Sequence, residues 1–271
     1  MKKSVLVLLA IVSAMWIQSC KKENQNDENT DSITKEDAQM VVATDIESDG
    51  LLDMVDLYAF ESTSGNRNHA LPSCVTQTVV TNGNNLTITW QFDPNGCTMP
   101  NGNTYSGTVI ITRSRDVTAR TVTGSLTFDN FYVNGIHIEG GSNFERQRSN
   151  ANGNPEVTHQ YDFTFTFVNG DVAERSGTRI REWIEGFNTP IHADDVFLIR
   201  GNAHFVFRNG NELDVEVINP LRREATCRYF VSGTVNITKN NQTAVLDYGN
   251  GTCDDEATLT LPNGTVHIIH L

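Results

Sequence analysis

Five carboxylates crowd one short stretch of the chain: Asp45, Glu47, Asp49, Asp53 and Asp56, with Gly50 among them. They fall at positions 1, 3, 5, 9 and 12 of a twelve-residue calcium loop, with Gly50 at the sixth position and Leu52 at the apolar eighth. Calcium takes six to eight oxygens, and alternate acids around a sharp glycine turn supply them. Two features weigh against it. The twelfth ligand is usually a longer, bidentate glutamate, and Met40 to Thr44 makes a short, β-branched entering helix. The other reading is a solvated acidic turn in which Asp49 caps a second helix. A further acid pair, Glu182 and Glu185, flanks Trp183 in RIREWIEGF. Two carboxylates beside an aromatic ring suit glycoside hydrolysis, but in a strand these two point to opposite faces. Trp183 with Phe187 is otherwise a sugar-stacking platform or plain core.

Other chemistry is thin. The chain has no His-Glu-x-x-His, no Gly-x-Ser-x-Gly and no phosphate-binding glycine loop. Its seven histidines are scattered, and His267 and His270 fall on opposite faces of one strand, which makes them poor co-ligands. Asp247, Asp254, Asp255 and Glu256 gather around a glycine-rich turn. They read either as a cation or carbohydrate contact or as turn acids bonding backbone amides.

Five cysteines remain to be placed: Cys20, Cys74, Cys97, Cys227 and Cys253. Cys20 ends an N-terminal segment with a positive start, Lys2-Lys3, and an apolar run from Val5 to Ile17. That run is too short for a stable bilayer span and suits a secretory signal over residues 1–19. Ile17-Gln18-Ser19-Cys20 resembles a bacterial lipobox, which implies acylation of Cys20 and anchoring to a membrane. Lysine directly after the cysteine implies, by the same resemblance, sorting to the outer membrane. Residues 20–31 then form a polar tether with nothing to bury. Removing Cys20 from the count leaves four cysteines in an oxidising compartment, where pairing is expected. Three pairings are open. An internal repeat favours Cys74–Cys97 with Cys227–Cys253. No Cys-x-x-Cys spacing supports zinc.

Beyond the signal, 18 basic residues face 33 acidic ones, a balance of 18 − 33 = −15. Such a chain repels nucleic acid, so no nucleic-acid partner is expected.

The elements that must position these residues are legible. Residues 32–62 form the helical segment, with Thr34 to Asp37 as an N-cap and an apparent break at Ser48-Asp49-Gly50. Two short helices joined by a turn, covering one end or one opening of a sheet, are predicted. From Cys74 the apolar period becomes two: Leu86, Ile88, Trp90 and Phe92, then Tyr161, Phe163, Phe165 and Phe167. Asn-Gly pairs recur nine times, at 82–83, 95–96, 101–102, 134–135, 152–153, 169–170, 209–210, 250–251 and 263–264. Between alternating strands they are the strongest short-range hairpin signal. Residues 63–271 therefore read as an all-β domain. It is an antiparallel meander of about twelve strands, closing as a sandwich or a rolled half-barrel sheet. Residues 74–112 and 227–271 share the order cysteine, strand, Asp and Gly-rich turn, cysteine, Asn-Gly, Gly-Thr-Val, which points to an internal duplication.

Pro220-Leu221, Cys227, Val231-Ser232-Gly233-Thr234-Val235 and Leu246 to Asp254, with a final short hairpin, resemble a group of uncharacterised lipoproteins of Bacteroidota-type bacteria. The resemblance implies an envelope lipoprotein and carries no activity with it. The expected function is a non-catalytic binding or scaffolding module, lipid-anchored at the cell envelope, with a lipid, glycan or protein as ligand. A glycan-acting hydrolase with its site near Trp183, and a structural or adhesion protein, are the alternatives. A dry interior wide enough for acyl chains would favour lipid carriage.

Overall fold

In a computed structural model of the chain, residues 32–60, 70–114, 118 and 120–271 are described. Cys20, the signal segment and the tether lie outside the described residues. Thirteen strands form one antiparallel sheet in strict chain order: β1 Val75–Asn82, β2 Asn85–Thr98, β3 Thr104–Ser114, β4 Thr121–Val133, β5 Ile136–Gln147, β6 Glu156–Thr166, β7 Val172–Glu185, β8 Val196–Phe207, β9 Glu212–Glu224, β10 Phe230–Lys239, β11 Gln242–Asn250, β12 Glu256–Thr260 and β13 Val266–His270. The two end strands do not pair, so the sheet stays open.

The hairpins sit where the turn chemistry puts them. Val122 to Arg148 makes the long β4–β5 hairpin, turning on Asn134 and Gly135, both at positive φ. Asn240 and Asn241 do the same between β10 and β11. Their left-handed backbone matches the twist of the flanking strands.

Alternation gives each strand one apolar face. Ile88, Trp90 and Phe92 of β2, Val109 and Ile111 of β3, and Tyr161, Phe163 and Phe165 of β6 are buried, while Gln91, Thr123, Thr127 and Gln160 lie outside. Register shifts punctuate the ladders, between Ser106 and Thr108, between Thr127 and Phe131, and between Ile199 and Asn202. Bulges of this kind raise local twist and bend the sheet. The first depends on Gly107, at φ +87°, where a Cβ would stand 1.9 Å from the Asn130 carbonyl oxygen. The sheet curls towards its apolar face, and aromatic rings line the curl: Phe92 on Tyr105, Tyr105 on Phe131, Phe131 on Phe128, and Phe128 on Phe163.

Inside the curl lies one helix, α1 Lys35–Val55, continued by a π-helical turn over Asp56–Phe60. This corrects the expectation of two short helices joined by a turn: the helix runs unbroken through Ser48-Asp49-Gly50. The N-cap is as predicted: Thr34 Oγ1 accepts from Asp37 N, and Asp37 Oδ2 accepts from Thr34 N, each at 3.0 Å. The break at Ser48-Asp49-Gly50 does not form. Gly50 is there because β3 comes close: its carbonyl accepts from Tyr105 OH at 3.3 Å and Asn101 Nδ2 at 3.2 Å. A Cβ on it would meet Asn103 Nδ2 at 2.4 Å. Glycine costs roughly 1 kcal/mol in a helix interior, which is small against such packing. Every residue from Thr44 to Val55 is buried. A helix hidden on all sides shows no outward polar stripe, which explains why its sequence looked interrupted.

Both disulfides form as the repeat implied, Cys74–Cys97 and Cys227–Cys253. Each ties the residue before a hairpin to the far end of that hairpin, β1–β2 in one case and β10–β11 in the other. Beyond the disulfides the two stretches diverge. Asn101-Gly102 precedes β3 directly, whereas β12 stands between Cys253 and Asn263-Gly264. Replacing Cys74 and Cys97 by serine releases a loop of 23 residues in sequence separation. The expected loss is about 3–4 kcal/mol in the chain-entropy account, measured as a shift of the urea midpoint of the oxidised protein.

Candidate functional site

The helix draws the acids of the calcium-loop pattern together in another way. At 100° per residue, Asp45, Asp49, Asp53 and Asp56 share roughly 80° of one helix face. That face meets β7, whose inward positions carry Arg175, Arg179 and Arg181. Asp45 accepts from Arg175, and from Arg179 Nη2 at 2.5 Å. Asp49 holds Arg181 Nη1 at 2.5 Å and Arg223 Nε at 3.2 Å. Asp53 and Asp56 take Arg181 Nη2 and Nε at 2.9 and 3.2 Å. Glu47, on the opposite side of the helix, accepts from Asn134 Nδ2 at 2.9 Å and meets Arg228 at 3.4 Å. Five carboxylates thus face five guanidiniums.

The calcium geometry is therefore replaced. Asp45, Glu47, Asp49, Asp53 and Asp56 lie on a continuous helix with arginine partners, and a helix cannot wrap its carboxylates around one point as a loop does. Among the described residues no group of three or more acids, histidines or cysteines is placed to hold a metal ion.

The balance of burial against pairing differs from acid to acid. Burial alone would raise the Asp49 carboxyl, but Arg181, Arg223 and Arg179 outweigh it and hold it below its ordinary range. For Glu47 burial wins over Asn134 and Arg228, and its pKa rises. Asp56 is pushed up to about 7, by burial first, because Arg181 offsets it only in part while Asp53 and Asp49 repel added charge. Opposite it stands His159, fully buried, with Nδ1 3.0 Å from Ser142 Oγ and Nε2 4.0 Å from Asp56 Oδ1. Burial, and then Arg181 and Arg179, lower its pKa to about 3, so the imidazole is neutral.

Trp183 belongs to the same region and is core. It stacks on Phe197 at 5.5 Å and meets Phe187 edge-on at 6.1 Å. The gap beside it, bounded by Asp56, Glu156 and Arg181, measures about 20 Å³, room for a single water and not for a sugar ring. The glutamates flanking it do not converge. Glu182 is held by Asn152, Asn154 and Arg200 at 2.8–2.9 Å, which outweigh burial and lower its pKa to about 2. Glu185 meets Arg222 at the surface. The turn acids take structural roles: Asp93, Asp247 and Asp254 accept from the backbone amides of Asn95, Gly249 and Glu256. His204 pairs with Asp214 at 2.9 Å on the outer face.

What the curl excludes inside, it opens outside. Across the outer face of β3 to β6 run two adjoining shallow concavities, wide open to solvent, of about 660 and 620 Å³, which share Ser125, Asn143 and Gln160. Thr112, Ser114 and Thr123 continue the lining in one direction, and Thr127 and Thr164 in the other. Gly141, on the floor, contributes no side chain between Thr127 and Asp162. With Asn85 of β2 at one end, the groove spans five strands, about 19 Å at the usual strand spacing. Its centre is neutral and bristles with hydroxyl and amide groups that both donate and accept. Arg113, Glu145 and Asp162 stand away from that centre.

The fold and its sites define a class by architecture: an open antiparallel meander rolled around its own N-terminal helix, with a polar groove on the outside. Comparison with protein-family models, with curated proteins and with solved structures finds no match to this chain.

Proposed function

We propose that this is a non-catalytic binding module, held at the cell envelope by a lipid on Cys20, which takes a neutral, hydroxyl-rich ligand such as a glycan chain in the groove across β3 to β6. The groove itself carries the reading: a ligand-sized concavity lined at its centre by Ser125, Asn143 and Gln160 and free of charge there. Side chains that donate and accept at once match sugar hydroxyls, which do the same. A strongly anionic ligand would meet a chain of net charge −13. Lipid carriage lacks support, because α1 and its ion pairs occupy the interior that acyl chains would need. The glycan-hydrolase alternative lacks it too, since Glu182 and Glu185 are held by separate partners and Trp183 is packed as core. The two disulfides agree with an oxidising compartment.

The test is calorimetry of the purified chain against neutral oligosaccharides of the bacterial envelope and of host or plant glycans. Asn143→Ala and Gln160→Ala each remove a hydrogen-bonding group from the shared centre. Each is expected to weaken binding by about 1 kcal/mol, roughly fivefold, while leaving the melting temperature unchanged. A chain that binds no oligosaccharide, or binds equally well with both groups removed, overturns the proposal.

A further inference from the structure

The two edges of this open sheet are built differently. β13 is five residues long, follows a Pro262 to Gly264 turn and carries two histidines. Short length, polar charge-capable side chains and nearby proline are devices that keep an edge from pairing. β1 has neither the short length nor the charge-capable side chains, and its one nearby proline, Pro72, lies outside the strand. Its eight residues, VTQTVVTN, contain no charge, no proline and no glycine, and six of the eight are valine or threonine. All but Val75 are exposed, with Val79 49% and Val80 56% accessible on opposite faces of the strand. Among the described residues β1 pairs only with β2. Strands with high β-propensity, no charge and an open edge are templates for another strand.

The register says which groups are offered. β1 and β2 are joined by a two-residue turn, with Asn82 opposite Asn85. The residues flanking such a turn form a hydrogen-bonded pair, and the pattern then alternates. Val80, Thr78 and Thr76 therefore bond to β2, while the N–H and C=O groups of Thr81, Val79 and Gln77 point to the free edge. Trp90 Nε1 donates to the Gln77 side chain at 2.7 Å, which holds the strand flat against β2.

We propose that β1 docks antiparallel on β1 of a second copy of this chain, about a two-fold axis through Val79. That axis sets Val79 against Val79 of the second copy and Gln77 against its Thr81, so the outward groups meet one another as hydrogen-bonded pairs. The strand fits a copy of itself for two reasons. It is neutral within a chain of net charge −13, so the contact brings no like charges face to face within the strand. A two-fold contact also closes: it uses up both unprotected edges and leaves β13 of each copy, the protected edge, at the two ends of a continuous sheet.

The experiment uses the full chain, extracted in detergent, with three variants. In the proposed pairing the two Val79 Cα atoms are about 5.5 Å apart, within disulfide reach. Val79→Cys is therefore expected to run as a covalent dimer on a non-reducing gel, whereas Asn209→Cys, at the exposed β8–β9 turn, stays monomeric. Val79→Pro removes an outward N–H without touching the bonds to β2. It is expected to halve the protein mass in sedimentation, from dimer to monomer, with an unchanged circular dichroism spectrum. A wild-type chain that sediments as a monomer overturns the proposal, as does crosslinking of Val79→Cys no greater than that of Asn209→Cys. A covalent adduct of Val79→Cys with a different protein would overturn the choice of a second copy. Should Val79→Pro unfold, the wild-type mass and the two cysteine variants decide the matter alone.

Discussion

Arg181→Met is expected to cost about 3–5 kcal/mol of folding stability, the usual loss when one partner of a buried ion pair is removed. Arg181 alone contacts three carboxylates, those of Asp49, Asp53 and Asp56. Methionine keeps the length of the side chain and part of its packing on Phe197, over which the guanidinium sits at 4.7 Å. It takes from Asp53 its arginine partner and leaves Asp56, still buried, with only the attraction of Arg146. Chemical denaturation at pH 7.5 measures the loss. Two companion results separate charge from packing. Arg181→Met combined with Asp53→Leu should recover part of the loss, because one stranded carboxylate is gone. The single variant should also regain stability as pH falls and the stranded acids take up protons. A loss that is the same at pH 5 and pH 7.5 would show that packing, and not charge, holds this contact.

Asp56→Asn should move stability the other way. The folded carboxyl titrates near 7 against an ordinary value of 3.8. Between these values the folded state holds a proton that the unfolded state has released, so this group's contribution falls as pH rises from about 4 to about 7. At pH 8 the full penalty stands, and an amide that needs no proton removes up to about 4 kcal/mol of it, at 1.36 kcal/mol per pKa unit. Near pH 4 the gain vanishes.

His159 works in the opposite sense. Its folded pKa is lowered to about 3 from 6.5, so below 6.5 the unfolded state binds the extra proton and stability drops as pH falls towards 3. In the wild type the two slopes oppose each other between about pH 4 and 6.5. In Asp56→Asn the histidine slope is opposed only by the weaker one of Glu47, whose carboxyl is also raised, and stability should climb with pH across that window more steeply than in the wild type. Melting curves of both proteins from pH 4 to 8 test this. Parallel profiles would mean that Asp56 ionises normally in the fold.

These two expectations concern residues that the sequence marks only in part. The spacing of Asp45, Asp49, Asp53 and Asp56 by four, four and three is a helical stripe, yet alternate acids around Gly50 also fit a loop. The deciding signal lay more than a hundred residues away. Arg175, Arg179 and Arg181 share the inward face of β7 with Ala173 and Trp183. Arginines on the apolar face of a strand need buried acids opposite them, and the helix supplies them. Without the pairing of strand and helix in space, neither half explains the other. Trp183 shows the same dependence: two flanking glutamates suggested chemistry, and only the packing of Phe197 and the hold of Asn152, Asn154 and Arg200 on Glu182 make it core.

The strands and their turns are written in neighbouring residues. Period-two alternation is a local property, and the Asn-Gly turns need positive φ wherever they stand, so the all-β meander, the long β4–β5 hairpin and the N-cap at Thr34 were readable from neighbouring residues. Of the three possible cysteine pairings the internal repeat favoured the two that form, each of which closes a single hairpin. The tertiary structure alone decided where the helix goes, how its acids are neutralised, and which face of the sheet is hollow. Those outcomes depend on how far bulges such as that at Gly107 curl the sheet, and curvature is summed over thirteen strands. It is a property of the whole ladder, and no window of the sequence contains it.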